Sequence, residues 1–201
     1  GSVVNDEVRR EEHIKLIVDK SNEADELKWK NILDKVSPLI ANDSYYNIQD
    51  KVKHHTRKGL PDSMRQRAWI VLTGVDVIMS QRKGVYQSML NKANSICKAS
   101  GLTPGGKHSS RTVLNQINKD TERTSLKHFS SNQDFSHDAL RRVLRAYSQL
   151  DPEVGYCQGM NYITAMFLTF LSEEEAFWVL LVVMNEEPYN LRELFLEDMT
   201  G

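Results

Sequence analysis

Apolar positions recur along most of this chain at spacings of three and four, and nothing alternates with period two for long. The predicted fold class is therefore all-α, with stacked helices around one core. The strongest pattern lies between Leu150 and Glu175. There Met160, Ile163, Thr164, Phe167, Leu168 and Leu171 keep helical spacing, while Tyr162, Ala165, Met166 and Phe170 make the other faces apolar. A helix that is apolar all round is expected to be buried, so this one is predicted to be central. Asp151 to Gly155 reads as a loop before it, and Gln158 falls where the turn becomes helix. Beyond it, Ser172-Glu173-Glu174-Glu175 is a capping box that starts a second buried helix, Ala176-Phe177-Trp178-Val179-Leu180. Ahead of the loop, Ser136 is a predicted N-cap, and Phe135 with Leu140 is placed for a hydrophobic staple. The helix that follows turns Leu140, Val143, Leu144, Tyr147 and Leu150 inward. Its Arg141, Arg142 and Arg145 form a solvated face or a basic ridge for an acidic partner.

The N-terminal part is more charged. Glu7 to Val36 predicts two helices or one bent one, anchored by Ile14, Leu16, Ile17, Val18 and then Leu27, Trp29, Ile32 and Leu33. Asp19 to Glu26 interrupts the pattern, and Ser37-Pro38 stops it, because the residue before proline is pushed out of the helical region. A short helix is predicted from Tyr46 to His55. A Gly-x-Pro loop at Gly59 to Pro61 then feeds a helix whose face is Met64, Ala68, Val71, Leu72 and Val75, with Trp69 beside it and Gly74 as its stop. Arg65 and Arg67 sit on its first turns, the wrong end of the helix dipole for cations, so they are paired with carboxylates or serve another purpose. Tyr86, Met89, Leu90, Ala93, Ile96 and Cys97 form another one-faced helix, and Val113, Leu114 and Ile117 begin a short amphipathic one. Residues 3–50 are read as a helical extension leading into a domain at 51–201.

Composition narrows the function classes. The chain has 201 residues, 40% of them hydrophobic and 26% charged, with a net charge of −1. That balance gives no electrostatic reason to expect nucleic acid as a partner. Cys97 and Cys157 lack paired or metal-ligand spacing, so both are read as buried thiols of a reducing compartment, and no metal site is expected. The longest apolar run, Ala176 to Met184, is too short to span a bilayer. Gly1-Ser2 reads as a remnant of tag cleavage. Gly101, Gly106 and Lys107 imitate a phosphate-cradling loop, but His108 stands where a hydroxyl must hold magnesium, and a helix tail precedes the loop in place of a strand. A Gly-rich linker is the expected structure there.

Two polar groups on ordered elements remain. Asp120 and Arg123 are three apart, so the acid can fix the guanidinium along one side of a helix, although spacing alone describes a surface ion pair worth tenths of a kcal/mol. Gln158 at a helix mouth is either a satisfied terminal amide or a rigidly mounted polar group facing a cleft. Hydrolysis of a nucleoside triphosphate needs charge stabilisation on the transferring phosphoryl and a group that aligns water, roles an arginine and a glutamine can fill.

Three blocks, Arg57-x-Gly59-Leu60-Pro61-x-x-x-Arg65-x-x-x-Trp69, Ile117-x-x-Asp120-x-x-Arg123 and Tyr156-x-Gln158-Gly159-Met160, in this order resemble the signature motifs of the TBC domain, the family of Rab GTPase-activating proteins. The resemblance runs from about Lys51 to the C-terminus. It implies a wholly helical fold, with Arg123 as an arginine finger and Gln158 as a glutamine finger inserted in trans into the nucleotide site of a GTP-bound Rab-type small GTPase in vesicle trafficking. Asp120 would position Arg123, and Tyr156, Gly159, Gly59, Pro61, Arg65 and Trp69 would support the cleft or the Rab interface. The chain would need no cofactor of its own, since GTP and magnesium belong to the GTPase, and would be cytoplasmic, reaching endomembranes through its partner. Leu60 replaces a commoner Ile, a change harmless by size. The family's domain continues past the end of this chain, so the C-terminal portion is expected to be absent, with incomplete covering of Trp178. The competing readings are a GTPase-binding scaffold that does not accelerate hydrolysis, and a thiol hydrolase using Cys157 with His128 or His137.

Overall fold

A computed structural model describes Lys15 and residues 22–36, 49–98, 109–125, 136–186 and 189–197. Among these residues every regular element is a helix, in line with the all-α expectation. The chain divides into two compact units, Gly1–Gly74 and Val75–Gly201.

The first unit holds α1 (22–36), α2 (Gln49–Thr56) and α3 (Asp62–Thr73). Asp19 to Glu26, which interrupt the apolar pattern, are helical from Asn22 onward, and residues 19–21 lie outside the described residues. Charged and alanine residues there lack a core face but have adequate helix propensity. Trp29, Leu33 and Ala68 form a buried cluster flanked by Ile32, Leu60, Met64, Val71 and Leu72. The Trp29 indole N–H donates to the Gly59 carbonyl at 3.0 Å, which gives the polar handle of a buried ring its partner. Pro61 is the N-cap of α3. Arg65 pairs with Asp62 at 2.7 Å and Arg67 with Asp34, so these cations at the wrong helix end are matched by carboxylates. Gly74 stops α3 in the left-handed conformation, φ 65°. Val75, expected on the α3 face, lies beyond that turn and opens the next helix.

The second unit contains α4 (Val75–Gln81), α5 (Val85–Lys98), α6 (Ser110–Arg123), α7 (His137–Leu150), α8 (Met160–Leu168), α9 (Glu173–Asn185) and α10 (Arg192–Glu197). Its hub is α7, which packs against α5, α6, α8 and α9. Leu140, Val143, Leu144 and Tyr147 are fully buried there. The predicted Ser136 cap accepts from the Ala139 N–H at 3.2 Å, whereas Phe135 of the expected staple lies outside the described residues. The centre predicted for α8 is thus shared with α7. Tyr162 is 52% exposed, so α8 is not covered all round. Composition gave every face of α8 a reason to be buried, but only some faces meet a neighbouring helix. The helix also ends at Leu168 rather than Leu171, with the Thr169 hydroxyl donating to the Ala165 carbonyl at 3.0 Å.

The capping box of α9 forms as predicted: the Ser172 N–H donates to Glu175 at 2.8 Å and the Ser172 hydroxyl accepts from the Glu175 N–H. Trp178 is 0% exposed, so the expectation of an incompletely covered Trp178 is corrected: α9 is enclosed by its neighbours within this unit. Cys97 is exposed and Cys157 half-buried, against the expectation of two buried thiols. Cys97 sits in the last turn of α5, at the edge of an open cavity, while Cys157 sits in a loop. The Gly101 to His108 segment lies outside the described residues. The residues before it, through Lys98, are helical as expected.

A polar clasp crosses this core. The Glu173 carboxylate of α9 accepts two bonds from Arg142 of α7, at 2.8 and 2.5 Å, and one from the Tyr86 hydroxyl of α5 at 2.8 Å. The Arg142 hydrogen bond holds the Glu173 carboxyl below its ordinary value near 4.5, against the opposing pull of burial. The Arg142 side chain is 42% exposed, so solvent screens the pair, and Glu173→Gln is expected to cost about 1 kcal/mol at pH 7. Because the folded-state value is depressed, that advantage is present above the ordinary carboxyl value and fades as pH falls through the folded one. Urea melts at pH 7 and pH 3 should show the gap between wild type and variant closing on acidification. Phe167, buried in α8, is expected to cost about 3–5 kcal/mol when truncated to Ala, read in the same melts.

Candidate functional site

The C-terminus of α6 and the loop before α8 meet around one buried carboxylate. Asp120 is 1% exposed, and an ionised group so buried must be paired and hydrogen-bonded. Its Oδ1 accepts from Arg123 Nη2 at 2.7 Å and from Gln116 Nε2 at 3.1 Å, and its Oδ2 accepts from the Tyr156 hydroxyl at 2.9 Å. The Asp120–Arg123 pair is thus half buried, in contrast to the surface ion pair that spacing alone describes. The acid end is enclosed, while the Arg123 side chain is 56% exposed. Arg123 is also in the last turn of α6, where the helix dipole favours a cation.

The end of α6 is clamped from a second direction. Thr124, its C-cap, donates its hydroxyl to the Asp120 carbonyl at 2.7 Å and accepts from Asn161 Nδ2 at 2.8 Å. One bond satisfies a carbonyl that a helix terminus leaves without a partner; the other ties α6 to the first turn of α8. Asn161, itself 1% exposed, accepts from the Gly159 N–H at 3.1 Å through Oδ1. The Tyr156 hydroxyl also lies 3.2 Å from that oxygen. It has one proton, which the shorter contact to the charged Asp120 takes, leaving the Asn161 approach secondary. Burial first, and then the bond to Asp120, push the Tyr156 phenol up, so it remains a donor. The His137 ring nitrogen Nε2 lies 2.9 Å from the Thr124 carbonyl and donates to it.

The loop from Asp151 to Gly159 is fixed along its length. Asp151 accepts from Arg192 at 3.1 and 3.3 Å, from the Tyr147 hydroxyl at 3.1 Å and from the Val154 N–H at 3.4 Å. Burial pulls the Asp151 carboxyl up, but the Arg192 bonds and charge, with those from Val154 and Tyr147, outweigh it and hold it low. Gly155 adopts φ 61°, a backbone sign that favours glycine, while a Cβ there would make only an ordinary contact with the Val113 side chain at 3.4 Å. Gly159, the N-cap of α8, has φ 104°. Between these glycines Tyr156 is buried and Cys157 half-buried, its N–H reaching Met160 Sδ at 3.3 Å. Gln158 is exposed and makes no hydrogen bond to a described residue. Its backbone is pinned on both sides while its amide is presented outward.

Five of the predicted residues, Asp120, Arg123, Tyr156, Gln158 and Gly159, therefore belong to one arrangement in the second unit. Gly59, Pro61, Arg65 and Trp69 lie in the first unit, where Gly59 receives the Trp29 indole, Pro61 caps α3 and Arg65 pairs with Asp62. Sequence reasoning missed Asn161, Thr124 and Gln116, and named His137 only as a base for Cys157. Asn161 left a signal, since an amide inside an otherwise apolar helix must find partners when buried. His137 is engaged by Thr124, and Cys157 Sγ lies 3.9 Å from the Phe195 carbonyl; His128, the other base named for the thiol reading, lies outside the described residues. Among the described residues no cluster of three His, Cys, Asp or Glu is placed to hold a metal, and no helix is long and apolar enough to cross a membrane.

Comparison with known proteins places this architecture. The Rab-GTPase-TBC domain family matches residues 62–201, and the chain belongs to that family. It is similar to the GTPase-activating protein GYP3 of Saccharomyces cerevisiae, 32% identical over 85% of this chain and 28% of that protein. It is similar also to the TBC1 domain family member whacked of Drosophila melanogaster, 33% identical over 81% of this chain and 40% of that protein. A solved Chlamydomonas flagellar RabGAP TBC domain shares the fold with a TM-score of 0.50 and 23% identity, over 82% of this chain and 54% of that one. The chain spans well under half the length of GYP3 and of whacked.

Because Tyr156 and Asn161 act on the same buried carboxylate and cap, their substitutions should not add. Tyr156→Phe and Asn161→Ala are each expected to destabilise by about 1–3 kcal/mol, with a coupling of about 0.5 kcal/mol or more in a double-mutant cycle by urea melts. Strict additivity would show that the two side chains do not share a network.

Proposed function

We propose that this chain carries the nucleotide-directed part of a GTPase activator for a Rab-type small GTPase loaded with GTP. In this reading Arg123 is an arginine finger and Gln158 a glutamine finger, both delivered in trans, and residues 51–201 form the acting portion with 3–50 leading into it. The observation that carries the proposal is the buried Asp120, which bonds Arg123 on one side and Tyr156, two residues before Gln158, on the other. A permanently charged guanidinium held by a buried acid can meet charge that develops on a transferring phosphoryl with little reorganisation. An amide on a pinned backbone, with its side chain unengaged, suits alignment of a water. Nucleotide and magnesium come with the GTPase, so the chain contributes groups to a reaction whose substrate it does not bind alone. Attachment at endomembranes would follow from the partner.

If Arg123 acts on the transition state, Arg123→Ala and Arg123→Lys are expected to slow stimulated hydrolysis by about 10³-fold or more, with a much smaller effect on docking to the GTP-bound GTPase. Gln158→Ala should be similarly disabling, and a GTPase whose own catalytic Gln is changed to Leu should still respond to the unaltered activator. The double variant should lose less than the product of the single losses. Single-turnover GTP hydrolysis across a panel of Rab proteins, with the chain extended to the domain length of its relatives, reads all of this. Tight docking with no stimulation in any pairing would favour the scaffold reading.

A further inference from the structure

The second unit has another polar feature, on the side of α6 turned away from Asp120. Helices α5, α6 and α7 line an open cavity of about 360 Å³ whose walls include Arg111, Arg145, Asn115, Asn118, Cys97 and Leu114. Among the described residues no carboxylate lines it. The three arginines of α7 differ in what they hold. Arg141 pairs with Asp138 and lies 3.9 Å from Glu122, and Arg142 takes the Glu173 carboxylate with two bonds. Among the described residues Arg145 instead meets a neutral amide oxygen, donating from Nη2 to Asn118 Oδ1 at 2.7 Å. Its Nε–H is buried without an acceptor there.

A donor on a permanently charged group, buried and unmatched, is unfavourable by the scale of a lost charged hydrogen bond. Held by a single bond, Arg145 loses little by turning toward an anion that supplies the missing acceptor. Arg111 also lines the cavity, from the first turn of α6, where the helix amides already carry partial positive charge. Asn118, with its oxygen taken by Arg145, keeps its amide hydrogens as donors, and Asn115 brings a second amide. The Arg145 guanidinium fork and two amides on a polar cavity match a tetrahedral oxyanion with several acceptor oxygens better than a single-point anion such as chloride. We propose that this cavity binds the phosphate group of a small soluble compound, either inorganic phosphate or a phosphomonoester. The site is separate from the Asp120 network and does not depend on the GTPase reading.

Titration of the whole chain with inorganic phosphate and, separately, with glycerol phosphate, at constant ionic strength, tests it by NMR of the Arg145 Nε–H and the Asn115 and Asn118 side-chain amides. A saturable displacement of these signals is expected with at least one of the two compounds. A tighter response to glycerol phosphate assigns the site to an ester; equal responses assign it to the free anion. Arg145→Gln should weaken the apparent affinity at least tenfold, Arg145→Lys should recover part of it, and Arg141→Gln should leave it unchanged. Arg145→Lys keeps the charge and most of the stem, so it distinguishes lost binding from lost folding. Displacements that chloride reproduces at the same ionic strength, or that persist undiminished in Arg145→Gln, would overturn the proposal, as would the absence of any saturable change.

Discussion

The second unit depends on a buried negative charge. Removing a carboxylate from water is costly enough that the surrounding chain must repay it with hydrogen bonds, and every group that bonds Asp120 is thereby fixed in place. Gln116 and Arg123 come from its own helix, and Tyr156 comes from a loop more than thirty residues away in sequence. The carboxylate therefore does more than orient one guanidinium. It sets the distance between the end of α6 and the start of α8, and Thr124 and Asn161 repeat that tie in neutral form. Two weakly determined pieces of chain, a helix C-terminus and a glycine-rich turn, become ordered by sharing partners.

The helical scaffold supplies the rest of the rigidity. Core residues of α7 meet α5, α6, α8 and α9 at once, so the elements carrying Arg123 and Gln158 are both seated on one buried helix. The clasp of Glu173 with Arg142 and Tyr86 and the strap of Asp151 with Arg192 sit away from the presented side chains and fix α9 and the loop respectively. The Asp120 anchor lies beneath the surface, while the Arg123 and Gln158 side chains are exposed. That division suits the proposed action on a partner's substrate, for which these groups must be ordered before the substrate arrives.

Much of this was legible in the chain. Period 3.6 in the apolar positions, the Ser136 cap and the Ser172 to Glu175 box predict α7, α8 and α9 closely, since capping and periodicity are local. The burial of Asp120 was not legible, because it is produced by Tyr156 and by packing from α7 and α8, and an i, i+3 acid and base look the same in sequence whether exposed or enclosed. Asn161 was passed over for the same reason: its partners come from the end of α6 and from the loop before α8. Tyr162 shows the converse failure, an aromatic in an apolar run that stays 52% exposed, covered by no helix among the described residues. The glycines fared better. Gly74, Gly155 and Gly159 all adopt positive φ, at positions where loops and helix stops are expected from the sequence.

The central claim is that Asp120 orders Arg123 for action on a partner's nucleotide. Asp120→Asn keeps the size of the side chain and removes its charge. Single-turnover GTP hydrolysis by the GTPase, measured beside the affinity of the complex, separates ordering from docking. Stimulation is expected to fall by about 10²-fold or more, the scale of losing a preorganised transition-state contact, while affinity changes little. Full stimulation by Asp120→Asn would contradict the claim, because Arg123 would then act without the buried charge that holds it.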